Sequence, residues 1–302
     1  MPVTYRQGTL QDSYTAMLVF QEALLDLGRR QGTMPITGGD DPETLAKLWE
    51  QRRSLYEHLA RTAEQFWIAE KEGRAIGYAR SVIRDGVREL TEFFVLPGEQ
   101  SAGVGRELLD RAFPSEGAEQ RVIIATTDIR AQARYLKAGV YARFPVVYFS
   151  RAPEAVAVAS DLEFEPIETS LQNLKILNRI DQEVLGHTRQ VDHEWLLQER
   201  EHRFIYRRGG QAVGYGYVGT RSGPFALVGE NDFPAVLAHA ESLAATARRE
   251  EFGVEVPQIN RAAVKHLLAR GFKLDPFLAF FMSADAFGKF ENYIFTSPPF
   301  FM

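Results

Sequence analysis

The residues best able to do chemistry lie between Val95 and Asp110, in the order V-L-P-G-E-Q-S-A-G-V-G-R-E-L-L-D. An apolar, aromatic-rich run over residues 90–96 ends at Pro97. A loop carrying Gly98, Gly103 and Gly105 follows, and then a helical pattern. Gly103 and Gly105 let the backbone approach a ligand closely, and the first turn of the helix leaves N–H groups without intrahelical partners. Those donors and the helix dipole favour an anion, so the stretch predicts a phosphate-binding turn. Two motifs of this kind do not fit. A P-loop needs Gly-Lys-Ser/Thr at its end, whereas Gly105 is followed by Arg106 and Glu107. A dinucleotide turn needs a small residue three places after its second glycine, where Leu108 stands. A plain glycine-rich turn before a helix is the other alternative.

What remains is Gln100-x-x-Gly103-x-Gly105, with Val95 and Pro97 just upstream. It resembles the Q/R-x-x-G-x-G/A signature of the GCN5-related N-acetyltransferases (GNAT). The resemblance implies that Val95, Leu96, Gln100, Ser101, Ala102, Gly103, Val104, Gly105 and Arg106 hold acetyl-coenzyme A. In that family the loop takes the pyrophosphate. The strand, here ending at Val95-Leu96, splays from its neighbour so that its backbone pairs with the pantetheine arm. A backbone N–H at the splay is the expected oxyanion partner.

Family enzymes often carry a tyrosine four residues before the glycine that ends the helix after the fifth strand. Tyr135 holds that place before Gly139, and a phenol of pKa about 10 can protonate a leaving thiolate. A core aromatic is the bland alternative. Asp128 stands where the family more often has an asparagine contacting the coenzyme arm. Glu92 is the expected base, acting through a water, and a solvated edge charge is its alternative. Strand alternation groups Glu92 with Leu90 and Phe94 and sets Thr91 with Phe93. Which face meets the cleft depends on whether a bulge interrupts the strand. No metal is implied.

The chain around these residues has 302 of them, comfortable for two domains. A hydrophobic share of 45% and a charged share of 25% fit a globular protein. The formal net charge of −5 argues against a nucleic-acid partner. With no cysteine there is no disulfide, thiolate metal site or cysteine nucleophile. No apolar run approaches the roughly 18 residues of a membrane span, so no membrane partner is expected. Met1-Pro2-Val3-Thr4 opens no signal peptide, and the expected compartment is the cytoplasm. His193-Glu194 lacks the second histidine of a zinc-protease helix, and His193 and His202 are expected at the surface of a polar helix. No G-x-S-x-G elbow occurs.

The elements that must position the loop read in order as a strand at 3–6, helices at 9–28 and 41–62, and strands at 66–69, 75–83 and 90–96. A helix at 107–113, a strand at 121–126, a helix at 129–138 and a strand at 146–150 complete the set. Gly28 is the expected end of the first helix, and Asp85-Gly86 predicts a tight hairpin. This β-α-α-β-β-β-α-β-α-β order is the GNAT order. Residues 151–160 read as a linker. Beyond it, Phe204-Ile205-Tyr206, Gly210 and Ala212-Val213-Gly214-Tyr215 parallel Phe66-Trp67-Ile68, Gly73 and Ala75-Ile76-Gly77-Tyr78. Residues 260–272 parallel 128–140, with Asn260 for Asp128 and Leu267 for Tyr135.

The expected fold is therefore α/β, with two tandem GNAT-like domains, each a mixed, mostly antiparallel sheet flanked by helices. Residues 1–152 form the catalytic domain. Residues 161–302 form a diverged domain in which Glu230, Asp232 and Pro234 replace the glycine loop, and it is expected to support the first domain and shape its acceptor cleft. The aromatic tail 293–302 is expected to pack against or extend the second sheet. The implied activity is direct acetyl transfer from acetyl-coenzyme A to the amine of a small molecule or peptide, by a monomer or homodimer. A non-catalytic acyl-coenzyme A sensor and a scaffold with a vestigial site are the alternatives.

Overall fold

A computed structural model describes residues 2–32, 38–100 and 103–296. The chain divides into two compact units, Met1–Tyr141 and Ala142–Met302. The first unit runs β1 (Thr4–Gln7), α1 (Ser13–Gln31), α2 (Pro42–Thr62), β2 (Gln65–Lys71), β3 (Arg74–Arg84), β4 (Val87–Val95), α3 (Val104–Ala112), β5 (Gln120–Thr126) and α4 (Ile129–Lys137). Its strands lie in the order β1-β2-β3-β4-β5. All pairs are antiparallel except β4 with β5, which is parallel.

Local chemistry explains most of these boundaries. The Asp41 carboxylate accepts the Thr44 N–H at 3.0 Å and Pro42 opens the helix, a favourable start for α2. Asp85 and Gly86 both take left-handed backbone, with φ of 45° and 83°, as a two-residue hairpin requires. The expected stop at Gly28 does not occur. Gly28 is buried inside α1, and the helix ends four residues later at Gly32, whose φ of 66° suits the left-handed cap. Packing along α1 outweighs the roughly 1 kcal/mol that an internal glycine costs. The helix buries Met17, Phe20, Leu24 and Leu25, and Phe20 meets Phe94 of β4 edge-on at 5.1 Å.

The second unit runs β6 (Tyr141–Arg151), β7 (Glu163–Pro166), α5 (Leu171–Val184), α6 (Gln190–Glu199), β8 (His202–Arg208), β9 (Gln211–Val218), β10 (Phe225–Leu227), α7 (Phe233–Thr246), β11 (Phe252–Pro257), α8 (Arg261–Ala269), β12 (Lys273–Ser283) and β13 (Tyr293–Ile294). From β7 to β12 the succession repeats that of the chain from β1 through β6. One sheet is ordered β13-β10-β9-β8-β7, and β6 lies between β12 and β11. Strand β6 pairs with β11 from Arg151↔Phe252 to Val146↔Pro257. Its Val147 and Phe149 are buried in one core with Leu237, Ala240, Val254 and Val256. That burial groups β6 with the second unit, so the division falls at 141/142, ahead of residues 151–160.

The repeat is visible in the backbone as well as the sequence. In the β2–β3 hairpin, Ala69 faces Gly77 and Glu70 faces Ala75, so Ile76 is the extra residue. In β8–β9, Tyr206 faces Gly214 and Arg207 faces Ala212, so Val213 is the extra residue. The freed carbonyls accept equivalent bonds at 2.8 Å, from Leu96 N–H to Ile76 and from Val228 N–H to Val213. Two bulges at one place, each with the same bond, mark a duplicated unit.

His193 differs from its expected surface position: it is fully buried. Its Nε2 lies 2.7 Å from Asp181 Oδ2 and its Nδ1 lies 2.9 Å from the Tyr217 hydroxyl. His202 lies in β8 instead of on a helix. Arg189 Nε donates to Asp181 Oδ2 at 2.9 Å, and Tyr215 donates to Oδ1. Helical position alone could not reveal that α6 turns His193 toward a buried carboxylate on α5. Burial alone would push the Asp181 carboxyl up, but Arg189, His193 and Tyr215 hold it well below the usual carboxylate range. A depressed carboxyl contributes stability above the unfolded-state pKa and loses it as pH falls. Asp181→Asn should therefore cost about 3–5 kcal/mol at neutral pH, by leaving Arg189 buried without its counter-charge. In urea unfolding, the gap from wild type should narrow as pH drops below about 4.

Candidate active site

The site is built on a strand that leaves its neighbour. Strands β4 and β5 pair only from Val87↔Gln120 to Leu90↔Ile123, although β4 continues to Val95 and β5 to Thr126. The departure coincides with a bulge. On the other side of β4, Ser81 faces Leu90 and Arg80 faces Glu92, so Thr91 is the extra residue. The Thr91 hydroxyl donates to the Arg80 carbonyl at 3.0 Å, which ties the bulge down. A bulge bends the strand that carries it and sharpens its twist, and here the bend opens β4 away from β5.

The bulge also resets which residues share a face. Residues paired across an antiparallel ladder point the same way, so Leu90 and Glu92, facing the adjacent residues Ser81 and Arg80, point to opposite faces. The simple alternation that grouped them does not hold. Glu92 and Phe94 face α1 and α2. Phe93 faces α3 and α4, its ring 6.1 Å from that of Tyr135. Leu96 has given its N–H to Ile76 on β3. Backbone direction alternates along a strand, so Phe93 and Val95 turn their N–H groups to the edge that β5 has left. Val95 also receives a bond on its carbonyl from Gln100 Nε2 at 3.0 Å.

Helix α3 begins inside the glycine motif, three residues earlier than expected. Gly103 is its cap with a φ of 88°, and a Cβ there would meet nothing within 4 Å. Gly105 is the second helical residue, and a Cβ on it would lie 3.1 Å from the Phe93 ring. Arg106 and Glu107 donate their N–H groups to the Gly103 carbonyl at 3.0 and 3.1 Å. The N–H groups of Gly103, Val104 and Gly105 meet no acceptor among the described residues. Three donors at a helix start with no acceptor among the described residues, and no described atom in the way at Gly103, fit an anion such as a pyrophosphate. Arg106 is exposed beside them. Ser101 and Ala102 lie outside the described residues.

Tyr135 lies on α4 and is only 5% exposed. Its hydroxyl bonds to no described residue. Burial, with the Asp128 carboxylate nearby, pushes the phenol above its ordinary value, and Arg134 pulls weakly the other way. The group is therefore a phenol throughout the neutral range. Asp128 caps α4 by accepting the Arg130 N–H at 2.9 Å, and it receives Arg30 at 2.9 Å. Burial would raise the Asp128 carboxyl, but the bonds from Arg30 and Arg130 leave it below the usual range. In the second unit Asn260 caps α8 in the same manner, at 3.0 Å from Ala263 N.

Glu92 is the expected residue whose surroundings differ most from its reading. Its side chain is 1% exposed and forms a salt bridge with Arg80, itself fully buried. The Tyr78 hydroxyl donates to its other oxygen at 2.9 Å. Arg80 also donates to the Tyr56 carbonyl at 3.0 Å and lies over the rings of Tyr56 and Phe66. The solvated edge charge is excluded by this burial. Two residues of the region carried no sequence signal: Arg80, which reads as an ordinary strand residue, and Arg134, whose partner surface is 29 residues upstream in the chain at Gly105.

The architecture defines a class, a mixed α/β fold with a splayed central strand pair and an anion-ready helix start. The same fold extends over most of the chain in several solved structures. A protein from Pyrococcus horikoshii provisionally described as an acetyltransferase has a TM-score of 0.73 at 13% identity, covering 96% of this chain and 92% of its own. A GCN5-related N-acetyltransferase from Sphaerobacter thermophilus has a TM-score of 0.58 at 14% identity, covering 93% and 95%. A tandem GNAT protein from the clavulanic acid biosynthesis pathway has a TM-score of 0.57 at 12% identity, covering 94% and 98%. At such identities the likeness is one of fold. No curated protein matches the sequence. Residues 31–140 match the model of the acetyltransferase (GNAT) family. No helix of the described residues is long and apolar enough to cross a membrane.

The buried pair carries its own test. Glu92→Gln should destabilise the protein by about 3–5 kcal/mol in urea unfolding, because Arg80 would keep its charge without the carboxylate. The double variant Arg80→Met, Glu92→Met should recover part of that loss. Unchanged stability in Glu92→Gln would refute the ion-pair account.

Proposed function

We propose that the protein is an acetyl-coenzyme A-dependent N-acetyltransferase working by direct transfer, with its donor site in the first unit. The observation that carries this reading is the meeting of the β4–β5 splay with the N–H groups of Gly103, Val104 and Gly105, which meet no acceptor among the described residues. The helix start would hold the pyrophosphate, and the exposed edge of β4 would pair with the pantetheine arm. Bound there, the thioester supplies an activated acetyl group.

The acceptor nitrogen, arriving neutral, bonds to the acetyl carbon while the C–S bond breaks. Negative charge builds on the carbonyl oxygen, and the N–H groups of Phe93 and Val95 are the fixed donors suited to it. The leaving thiolate takes the Tyr135 proton, and the nitrogen sheds its own proton to solvent, from which Tyr135 is recharged. Glu92, with both oxygens engaged, holds Tyr78 and Arg80 in place under the lid helices instead of taking the proton directly. Burial, with Asp128 nearby, keeps Tyr135 in its neutral form. The acceptor is an amine of a small molecule or peptide.

The second unit is a diverged copy that takes no donor. The start of α7 carries Glu230 and Asp232 where the first unit has its glycines, and Pro234 has no N–H to offer. The edge of β10 equivalent to the bare edge of β4 is filled by β13, with Phe225 facing Ile294 and Ala226 facing Tyr293. The described start of the aromatic tail thus extends this sheet.

Titration calorimetry with acetyl-coenzyme A should give one site, abolished by Gly103→Glu, which adds bulk and negative charge at the helix start. Two sites would refute the empty second unit, and no binding by folded wild type would refute the donor site. Tyr135→Phe should lower turnover about a hundredfold or more with donor affinity kept, which separates an enzyme from a non-catalytic sensor. Because the Tyr135 phenol is raised, the wild-type rate should climb as the acceptor amine deprotonates and show no fall before about pH 10.

A further inference from the structure

Arg134 stands on α4 one residue before Tyr135, half-buried, and forms no hydrogen bond or ion pair with any described residue. Its position is specific. A Cβ built on Gly105 would lie 3.5 Å from Arg134 Nε and 3.6 Å from its Cζ. The guanidinium therefore packs against the first turn of α3, where the N–H groups of Gly103, Val104 and Gly105 meet no acceptor among the described residues. The acids nearby are engaged elsewhere: Glu107 pairs with Arg111 at 2.6 Å, and Asp128 with Arg30 at 2.9 Å. A partly desolvated guanidinium with no counter-charge calls for an anion from outside the chain.

The glycine motif leaves room for such a charge. Gln100 is neutral, and its amide is committed to the Val95 carbonyl at 3.0 Å. We propose that Arg134 is a donor-binding residue that pairs with the diphosphate of the coenzyme, adding from α4 the positive charge that Gln100 lacks. The assignment to the diphosphate, and not to the 3′-phosphate, follows from contact with the helix start itself. This inference rests on the donor site proposed above.

The test compares wild type with Arg134→Ala and Arg134→Lys against three donors: acetyl-coenzyme A, its 3′-dephospho form, and S-acetylpantetheine, which has no diphosphate. Arg134→Ala should weaken both coenzymes about tenfold, as loss of one charge-assisted pair does. It should leave the affinity for S-acetylpantetheine unaffected. Arg134→Lys should recover part of the loss. Unchanged coenzyme affinity in Arg134→Ala overturns the proposal, and so does an equal loss with S-acetylpantetheine, which would mark a structural role. A loss confined to the donor bearing the 3′-phosphate overturns the diphosphate assignment. Wild type that binds no acetyl-coenzyme A removes the donor site and this inference together, whereas normal wild-type binding with an indifferent variant removes only the inference.

Discussion

Thr91 adds one residue to β4 that β3 does not match, and the geometry of the site descends from that mismatch. A strand with an extra residue cannot keep both ladders in register, so β4 holds its pairing with β3 beyond the bulge and gives up β5. The consequence is an exposed edge of backbone N–H and C=O groups in the middle of a sheet. Such groups are costly to leave unpaired when buried, and they are a natural partner for an extended polar ligand that adds to the edge. The same bulge turns Phe93 toward Gly105 and Tyr135 and turns Glu92 toward the lid helices. The bare edge of β4 and the faces taken by Phe93 and Glu92 are set by one insertion.

The duplicated unit shows what closes such an edge. Both copies carry a bulge just before the strand glycine, at Ile76 before Gly77 and at Val213 before Gly214, and both spend the N–H of the residue after the next strand on the freed carbonyl. They part company at the far edge. In the second unit β13 lies against Phe225 and Ala226 and satisfies their backbone from within the chain. In the first unit β5 has already turned away at the matching place. The helix that follows diverges to match: Gly103 with open space in one copy, Asp232 paired to Arg208 in the other.

Each unit also buries a carboxylate beside an arginine and the tyrosine that follows the bulge: Glu92 with Arg80 and Tyr78, Asp181 with Arg189 and Tyr215. The carboxylates come from different elements, β4 and α5, so this is a shared solution more than a shared residue. Such pairs gain little net stability over an apolar core, and breaking one is expensive. They bind the covering helices to the sheet in one arrangement. In the first unit α1 and α2 lie on the Glu92 face of β4, where Phe20 meets Phe94 and Arg80 donates to the Tyr56 carbonyl.

The sequence by itself determined the order of elements in both halves, the hairpin turns, the glycine-rich helix start and the place of Tyr135 before Gly139. These are local: left-handed glycines, caps and apolar periodicity are written in neighbouring residues. The repeat was legible for the same reason, because glycines spaced alike in two hairpins impose the same backbone. The bulge at Thr91 was not legible, since it depends on how β3 and β5 compete for β4. Glu92 read as a candidate base until Arg80 and Tyr78 closed on it from β3. His193 read as a surface residue until Asp181 met it from α5. Strand β6 read as the end of the first half, yet its Val147 and Phe149 are buried with residues of α7 and β11. Each of these outcomes was set by tertiary structure, because partners far apart in the chain decide which charge is paired, which edge is covered and which face a side chain takes.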